Sequence, residues 1–361
     1  MATNADVLNF ALQKLVPKWT EQFYQYHPVL DKIILKGNIE RGTQGGPFLE
    51  FPVVTQGPGQ VTRIETGSEV YSSVRKTVGA KGTSYAPRMI YSFIIPGKDL
   101  AEASGETAIA RLIKVYPEAA LMESHELIAS QFVNGNGVAS NTNGFLTLNG
   151  DTTYNTGGTA AAENGIMDFA APTAQTDAVL GLTKSGAAAG TTGWHNQYQN
   201  VSSFATEGRT QMRRAYWDAS LQGKAGGPVD VMLADIASFN NYYDDLDDQV
   251  RYQTSFKGEK NKGVRQGLMF QEAEFYVEAA LDPSLGTFSS KNGVVYFLKA
   301  DTWHLYTQGE DSGMETKGDF AFRGPVKVPG QDAWEWEIVL SMQMYCDRLN
   351  ANACVDGTSI A

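Results

Sequence analysis

The 361-residue chain has only two cysteines, Cys346 and Cys354, both near its C-terminal end. Two thiols make no disulfide framework, and a reducing cytoplasm is the expected place of synthesis. No histidine stands near them, so their spacing matches no common zinc pattern. A reduced, half-buried pair is one reading, and a disulfide formed after release from the cell is the other. Charge is also scarce: charged residues make up 19% of the chain, below the usual quarter. Gly, Asn, Thr, Ser and Gln take their place. The net charge is −11, and the 29 Lys and Arg residues are scattered, with no long basic run. A surface that grips phosphates needs clustered Lys and Arg, so no specific nucleic-acid site is read. No stretch approaches the ~18 apolar residues that a membrane span needs. The start, MATNADVLNF, lacks a positive n-region followed by an apolar stretch, and no secretory signal is expected.

Catalytic signatures are missing as well. His27, His125, His195 and His304 are far apart in sequence, and HELIA at 125–129 lacks the second histidine of a zinc-protease helix. GxSxG, the P-loop and a GxGxxG after a strand are all absent. The acidic run YYDDLDD (242–248) lacks the ligand spacing and turn glycine of an EF-hand; such runs are usually solvated faces. Glu335 and Glu337 alternate with Trp334 and Trp336. On a strand, that puts both tryptophans on one face and both carboxylates on the other, which reads as core packing and not as an acid–base pair. No metal and no cofactor is expected.

What is present is a folded chain. Apolar residues reach 42%, enough for a sizeable core. Helical periodicity is read over residues 5–36, interrupted at Pro17, and most strongly over 104–134, with Pro117 expected to kink or split it. At 1.5 Å per residue the latter helix would be about 45 Å long. RGTQGGP (41–47) breaks any helix. FLEFPVV (48–54) and PRMIYSFII (87–95) read as strands, separated by about thirty polar residues punctuated by glycine. Such excursions are uncommon and usually functional; a plain surface hairpin is the bland alternative. Residues 135–203 are rich in Gly, Ala, Asn and Thr and stay unplaced. Beyond them, 204–222 and 235–246 read as helices. PVDVMLA, LMFQEAEFYVEAA, GVVYFLKAD and WEWEIVLSMQMYCD read as strands, the last bounded in front by PVKVPGQD. The fold class is α+β.

Taken in order, these segments resemble the major capsid proteins of tailed bacteriophages, with the Hong Kong 97-type fold. YHPVLDKIILKG with GGPFLEFPV resembles the family's N-terminal arm and first strand. MIYSFIIPGKDLAEASG resembles the return of its extended loop, and SGETAIARLIKVYPEAALMESHELIASQFVNGNG its spine helix. WHNQYQ resembles the element after its variable region, and GQDAWEWEIVLSMQMYC its C-terminal strand. The resemblance spans nearly all of the chain through order and spacing. It departs at Gly330, where the family usually has asparagine, and at CDRLNANAC, which replaces a basic ending.

The resemblance implies an N-terminal arm over 1–47, an extended loop over 48–95, and a peripheral domain with the spine helix over 96–135. An axial domain over 136–320 and a return to the peripheral domain over 321–361 complete it. It implies intersubunit contacts by the extended loop, whose charges are Arg63, Glu65, Glu69, Arg75, Lys76 and Lys81. It places a loop at the capsomer axis, with Phe256, Lys257, Glu259, Lys260 and Lys262. The implied role is structural and not enzymatic: hexamers and pentamers building a shell around double-stranded DNA. An acidic wall suits that container, because it repels the packed DNA and touches it only non-specifically. Expected partners are further copies of the chain, a scaffolding protein, a portal and decoration proteins, with no membrane. The expected location is the virion, assembled in the bacterial host cytoplasm. Some relatives link a lysine to an asparagine between subunits; Lys76 or Lys81 with Asn350 or Asn352 are the candidates here, and no such bond is expected. Competing readings are a β-rich virion surface or receptor-binding module, and a hydrolase using a carboxylate pair.

Overall fold

The computed structural model describes residues 38–41, 49–54, 79–84, 87–102, 132–133, 146–149, 165–175, 178–184, 193–222, 227–247, 268–281, 293–307, 315–317 and 320–358. The first strands are β1 (Ile39–Arg41), β2 (Leu49–Val54), β3 (Gly79–Ser84) and β4 (Arg88–Pro96), followed by the short helix α1 (Gly97–Glu102). Next come β5 (Thr147–Asn149), β6 (Gly165–Met167), β7 (Ala178–Val179), β8 (Leu182–Thr183) and β9 (Gln197–Asn200). A π turn, Phe204–Gly208, leads into α2 (Arg209–Gln222), then β10 (Val231–Ala234) and α3 (Ile236–Asp247). The remaining strands are β11 (Leu268–Phe270), β12 (Ala273–Val277), β13 (Val294–Leu298), β14 (Trp303–Thr307), β15 (Glu315–Lys317), β16 (Phe320–Lys327), β17 (Ala333–Cys346) and β18 (Ala353–Asp356).

One six-stranded sheet runs β11-β12-β10-β13-β18-β9. Its inner strands are apolar on both faces, as strands covered on both sides must be. Val231 and Leu233 of β10, Tyr296 and Leu298 of β13, and Cys354 of β18 point into one core. Met232, Ala234, Val295, Phe297, Ala353 and Val355, the residues between them, point into a second core. The period-two alternation of a strand divides them. Helix α2 closes the second core with Met212, Ala215, Tyr216 and Ala219, and α3 adds Tyr242.

The other six-stranded sheet is built on β17 and lies across the first core. Along β17, Trp336, Ile338, Leu340, Met342, Met344 and Cys346 face that core. Trp336 is fully buried and stacks on Phe93 of β4, with ring centroids 5.8 Å apart. Glu337, on the opposite face, pairs with Arg323 at 3.1 Å. The tryptophan–glutamate alternation is therefore core packing on one side and a surface ion pair on the other. PVKVPGQD is not simply a boundary: Pro325, Val326 and Lys327 belong to β16, whose register shifts between Arg323 and Val326. A proline has no N–H for the ladder, and a bulge accommodates it.

Two strands connect across the divisions read from the sequence. β14, from the segment 136–320, pairs with β17, and β18, from 321–361, pairs with β13. Gly330 turns the chain into β17 at φ +78°, with no atom near the site of a Cβ. Only glycine, and to a lesser degree asparagine, enters this left-handed region readily. The departure from asparagine at this position is therefore conformationally neutral. The helix read over 104–134 and those over 5–36 lie outside the described residues, except that Phe132 and Val133 are helical and buried. In 135–203, which stayed unplaced, β5 to β9 are short strands, and β5 pairs with β6 in parallel.

Candidate assembly surface

The excursion after FLEFPVV is rooted in a ladder whose second strand the sequence pattern did not mark. β2 pairs antiparallel with β3, from Leu49 opposite Ser84 to Val54 opposite Gly79. GAKGTS has low strand propensity, so tertiary contacts must fix it. Leu49, Phe51 and Val53 alternate into the core, while Glu50 and Pro52 face outward. Phe51 stacks on Tyr345 with centroids 3.9 Å apart and meets Tyr306 edge-on at 6.1 Å. Gln343 of β17 is fully buried; its Nε2 donates to Ser84 Oγ at 3.0 Å, and its Oε1 accepts from the Leu146 N–H at 3.0 Å.

A second clamp comes from the β7–β8 hairpin. Its two turn residues, Leu180 and Gly181, have φ +57° and +71°, the signs of a two-residue type I′ turn. A leucine in that conformation is strained, and here it is held by contacts. The Thr83 N–H donates to the Leu180 carbonyl at 2.9 Å. A Cβ on Gly82 would lie 3.1 Å from the Leu180 Cβ, so a glycine lets the turn seat on β3. The root of the excursion is thus fastened from β17 and from the β7–β8 turn.

Of the six expected contact residues of the extended loop, Lys81 is on β3, opposite Pro52 and ion-paired to Glu50 of β2. Both side chains are more than half exposed, so the pair contributes at most ~1 kcal/mol. Arg63, Glu65, Glu69, Arg75 and Lys76 lie outside the described residues, as do Phe256, Lys257, Glu259, Lys260 and Lys262 of the expected axis loop. Residues 242–247 of the acidic run form the end of α3; there Asp245 pairs with Arg209 of α2 at 3.0 Å and Tyr242 is buried. Among the described residues, no group of three or more His, Cys, Asp or Glu side chains could hold a metal ion.

Beside the covered hairpin root, part of the outer face of the β17 sheet is exposed. Ile90 and Ile94 of β4 are 54% and 45% exposed, and Val326 of β16 is 53% exposed. Ile94 and Val326 flank Glu335 in register, and Arg323 and Ser92 flank Glu337. This puts three apolar side chains around one ion pair.

Buried polar residues to which the sequence pattern assigned no such role tie the elements together, and Asn352 joins the two six-stranded sheets. Asn352 Oδ1 accepts from the Lys299 N–H at 2.9 Å and the Trp303 indole at 2.8 Å. Its Nδ2 donates to the Arg348 carbonyl at 3.0 Å and Thr302 Oγ1 at 3.1 Å. Asn196 of WHNQYQ exchanges two bonds with the backbone of Asp168, at 2.8 and 2.9 Å. Gln175 bonds the Asn196 backbone in both directions. Each asparagine also touches a cysteine sulfur, Asn352 that of Cys346 and Asn196 that of Cys354. The cysteines are free thiols and fully buried, not half-buried. Burial pushes the Cys346 thiol well above its ordinary pKa, aided by the nearby Asp347. The strand β1, earlier in the chain than β2, is tied in too: it pairs in parallel with β14, and the Tyr345 hydroxyl donates to Glu40 of β1 at 2.8 Å.

No protein-family model matches the chain, and no curated protein sequence matches it. Solved structures do. The chain is similar to a protein of the cyanophage A-1(L) capsid asymmetric unit, with TM-score 0.55 and 14% identity over 88% of this chain and 90% of that one. Two of the further matches have lower scores. One is the capsid of a native GTA particle, with TM-score 0.49 and 9% identity over 90% of each chain. The other is the satellite phage P4 procapsid including size determination protein, with TM-score 0.47 and 10% identity over 94% of this chain and 89% of that one. The fold of this chain is that of a phage capsid protein.

Proposed function

We propose that the chain is the major capsid protein of a tailed phage, with the Hong Kong 97-type arrangement of arm, extended loop, peripheral domain and axial domain. Copies assemble as hexamers and pentamers into a closed shell around double-stranded DNA. The observation that carries the reading is the shared fold with the cyanophage capsid subunit over about nine-tenths of both chains. In this reading the sheet on β17 belongs to the peripheral domain, and the sheet on β10 and β13 to the axial domain. The doubly clamped root of the β2–β3 hairpin supports a loop that extends from the body onto a neighbouring subunit. Such an arm is marginal alone, because an isolated two-stranded hairpin is barely stable in water, and a neighbour's surface supplies what it lacks. Many weak contacts repeated by symmetry make the shell cooperative. Scaffolding, portal and decoration proteins are the further partners, and the virion is the location, reached by assembly in the host cytoplasm.

The test is expression of the full chain, alone and with a scaffolding protein, followed by negative-stain electron microscopy and size-exclusion chromatography. Closed shells or capsomers are the expected result. A stable monomer of 39.3 kDa at high concentration under both conditions overturns the reading.

A further inference from the structure

The outer face of α2 carries an unusual stripe. Trp217 and Leu221, one helical turn apart, are 49% and 70% exposed. Arg213 and Arg214 stand one turn before them, also exposed. An i, i+4 spacing puts these side chains on one face. The stripe is preorganised. The Trp217 indole packs edge-on against the buried Tyr216, with centroids 5.4 Å apart and planes at 86°. Arg213 Nε donates to the Arg209 carbonyl at 3.3 Å, and Arg214 leans toward Asp218 at 3.8 Å. Tryptophan and arginine at a fixed, partly desolvated surface are the residue types that dominate protein–protein contacts, and a side chain already held in place loses less entropy on binding.

Charge selects the occupant. Acidic residues outnumber basic ones, 40 to 29, so a basic stripe meets an acidic partner on another copy more readily than a basic one. Two copies meeting α2 to α2 would oppose arginines to arginines, which like-charge repulsion disfavours. The neighbouring helix α3 offers the opposite character: Tyr243 is 38% exposed, and Asp244 beside it is exposed. The Arg209–Asp245 ion pair, 3.0 Å long, joins the two helices, so the basic and acidic faces are held at a fixed offset on one body. We infer that the Arg213–Arg214–Trp217–Leu221 face of α2 docks on the Tyr243–Asp244 face of α3 in a second copy of this chain. This rests on the shell reading above and assigns one of its subunit contacts.

The experiment uses the full chain and its charge-swapped variants, with assembled particles measured by sedimentation velocity and electron microscopy. The expected result is that Arg213→Glu/Arg214→Glu lowers the assembled fraction at least tenfold while its far-ultraviolet circular dichroism matches the parent. Adding Asp244→Lys to that variant restores assembly to within about twofold. Trp217→Ser, at a half-exposed position, also reduces assembly at unchanged circular dichroism. Normal assembly by both the charge variant and Trp217→Ser, with the parent forming shells, overturns this contact and leaves the shell reading intact. Loss without rescue by Asp244→Lys overturns the pairing with α3. A parent chain that never assembles overturns the shell reading and this contact with it.

Discussion

The Trp303 indole donates a hydrogen bond to Asn352 Oδ1 at 2.8 Å, between two side chains that are almost wholly excluded from solvent. Trp303 opens a strand of the β17 sheet, and Asn352 immediately precedes β18 of the other sheet. Asn352→Ala leaves two buried donors, the indole and the Lys299 N–H, without this acceptor. Each such orphan costs roughly 1–3 kcal/mol, so a loss of about 3 kcal/mol is expected. Urea denaturation of the soluble chain checks it, and a midpoint equal to the parent's would show that Asn352 does not lock the sheets.

The same burial bears on cross-linking. The Asn352 carboxamide is fully enclosed and uses both its oxygen and its nitrogen. It cannot meet a lysine of another copy without unfolding around it. Assembled particles boiled with reductant should run as a single band at 39.3 kDa. A ladder of oligomers would place a lysine–asparagine bond elsewhere.

The hairpin root sets where the extended loop can be cut. β3 begins at Gly79, and Leu49, Phe51 and Val53 of its partner strand β2 belong to the core. Replacing residues 56–78 with a short Gly-Ser turn keeps the ladder. It should leave a folded chain by circular dichroism whose shells, if formed, lose heat resistance. Extending the cut through Ser84 removes the Gln343 and Leu180 contacts and should destabilise the chain itself. Particles as heat-resistant as the parent's after the shorter cut would remove the loop from intersubunit contact.

Neither thiol should react in the native state. Cys346 and Cys354 are 1% and 0% exposed, and the thiolate that reacts is disfavoured at Cys346 by burial. A colorimetric thiol reagent should find almost none in the native protein and two per chain in guanidinium. Rapid native labelling would mean that the strands carrying them open easily.

His195 is expected to give the chain a pH dependence. Burial lowers its pKa below the ordinary 6.5, and its Nδ1 has no hydrogen-bond partner. A depressed folded-state pKa contributes stability above 6.5 that is lost as pH falls through the folded value. Thermal stability should therefore decline as pH falls below 6.5, and His195→Gln should flatten part of that decline. An identical slope in both proteins would assign the acid sensitivity to other groups.

Where periodicity is strong, the elements can be read from the order of residues alone. WEWEIVLSMQMYC alternates because β17 lies between a core and an outer face, and 204–222 and 235–246 carry the helices α2 and α3. A pattern of that kind is a local record of which side of an element meets water, and it can be read without knowing the partner. The order of such segments also sufficed for the resemblance to capsid proteins. GAKGTS, by contrast, has no pattern of its own and becomes a strand because Leu180, Gln343 and the β2 backbone hold it. The joining roles of Asn196 and Asn352, the parallel pairing of β1 with β14, and the passage of β18 into the opposite sheet were likewise decided by the tertiary structure. These contacts link residues far apart in the chain, up to 305 positions in the case of Glu40 and Tyr345. A buried polar group takes whichever partner the packing brings to it, and that partner leaves no periodic trace in the sequence around either residue.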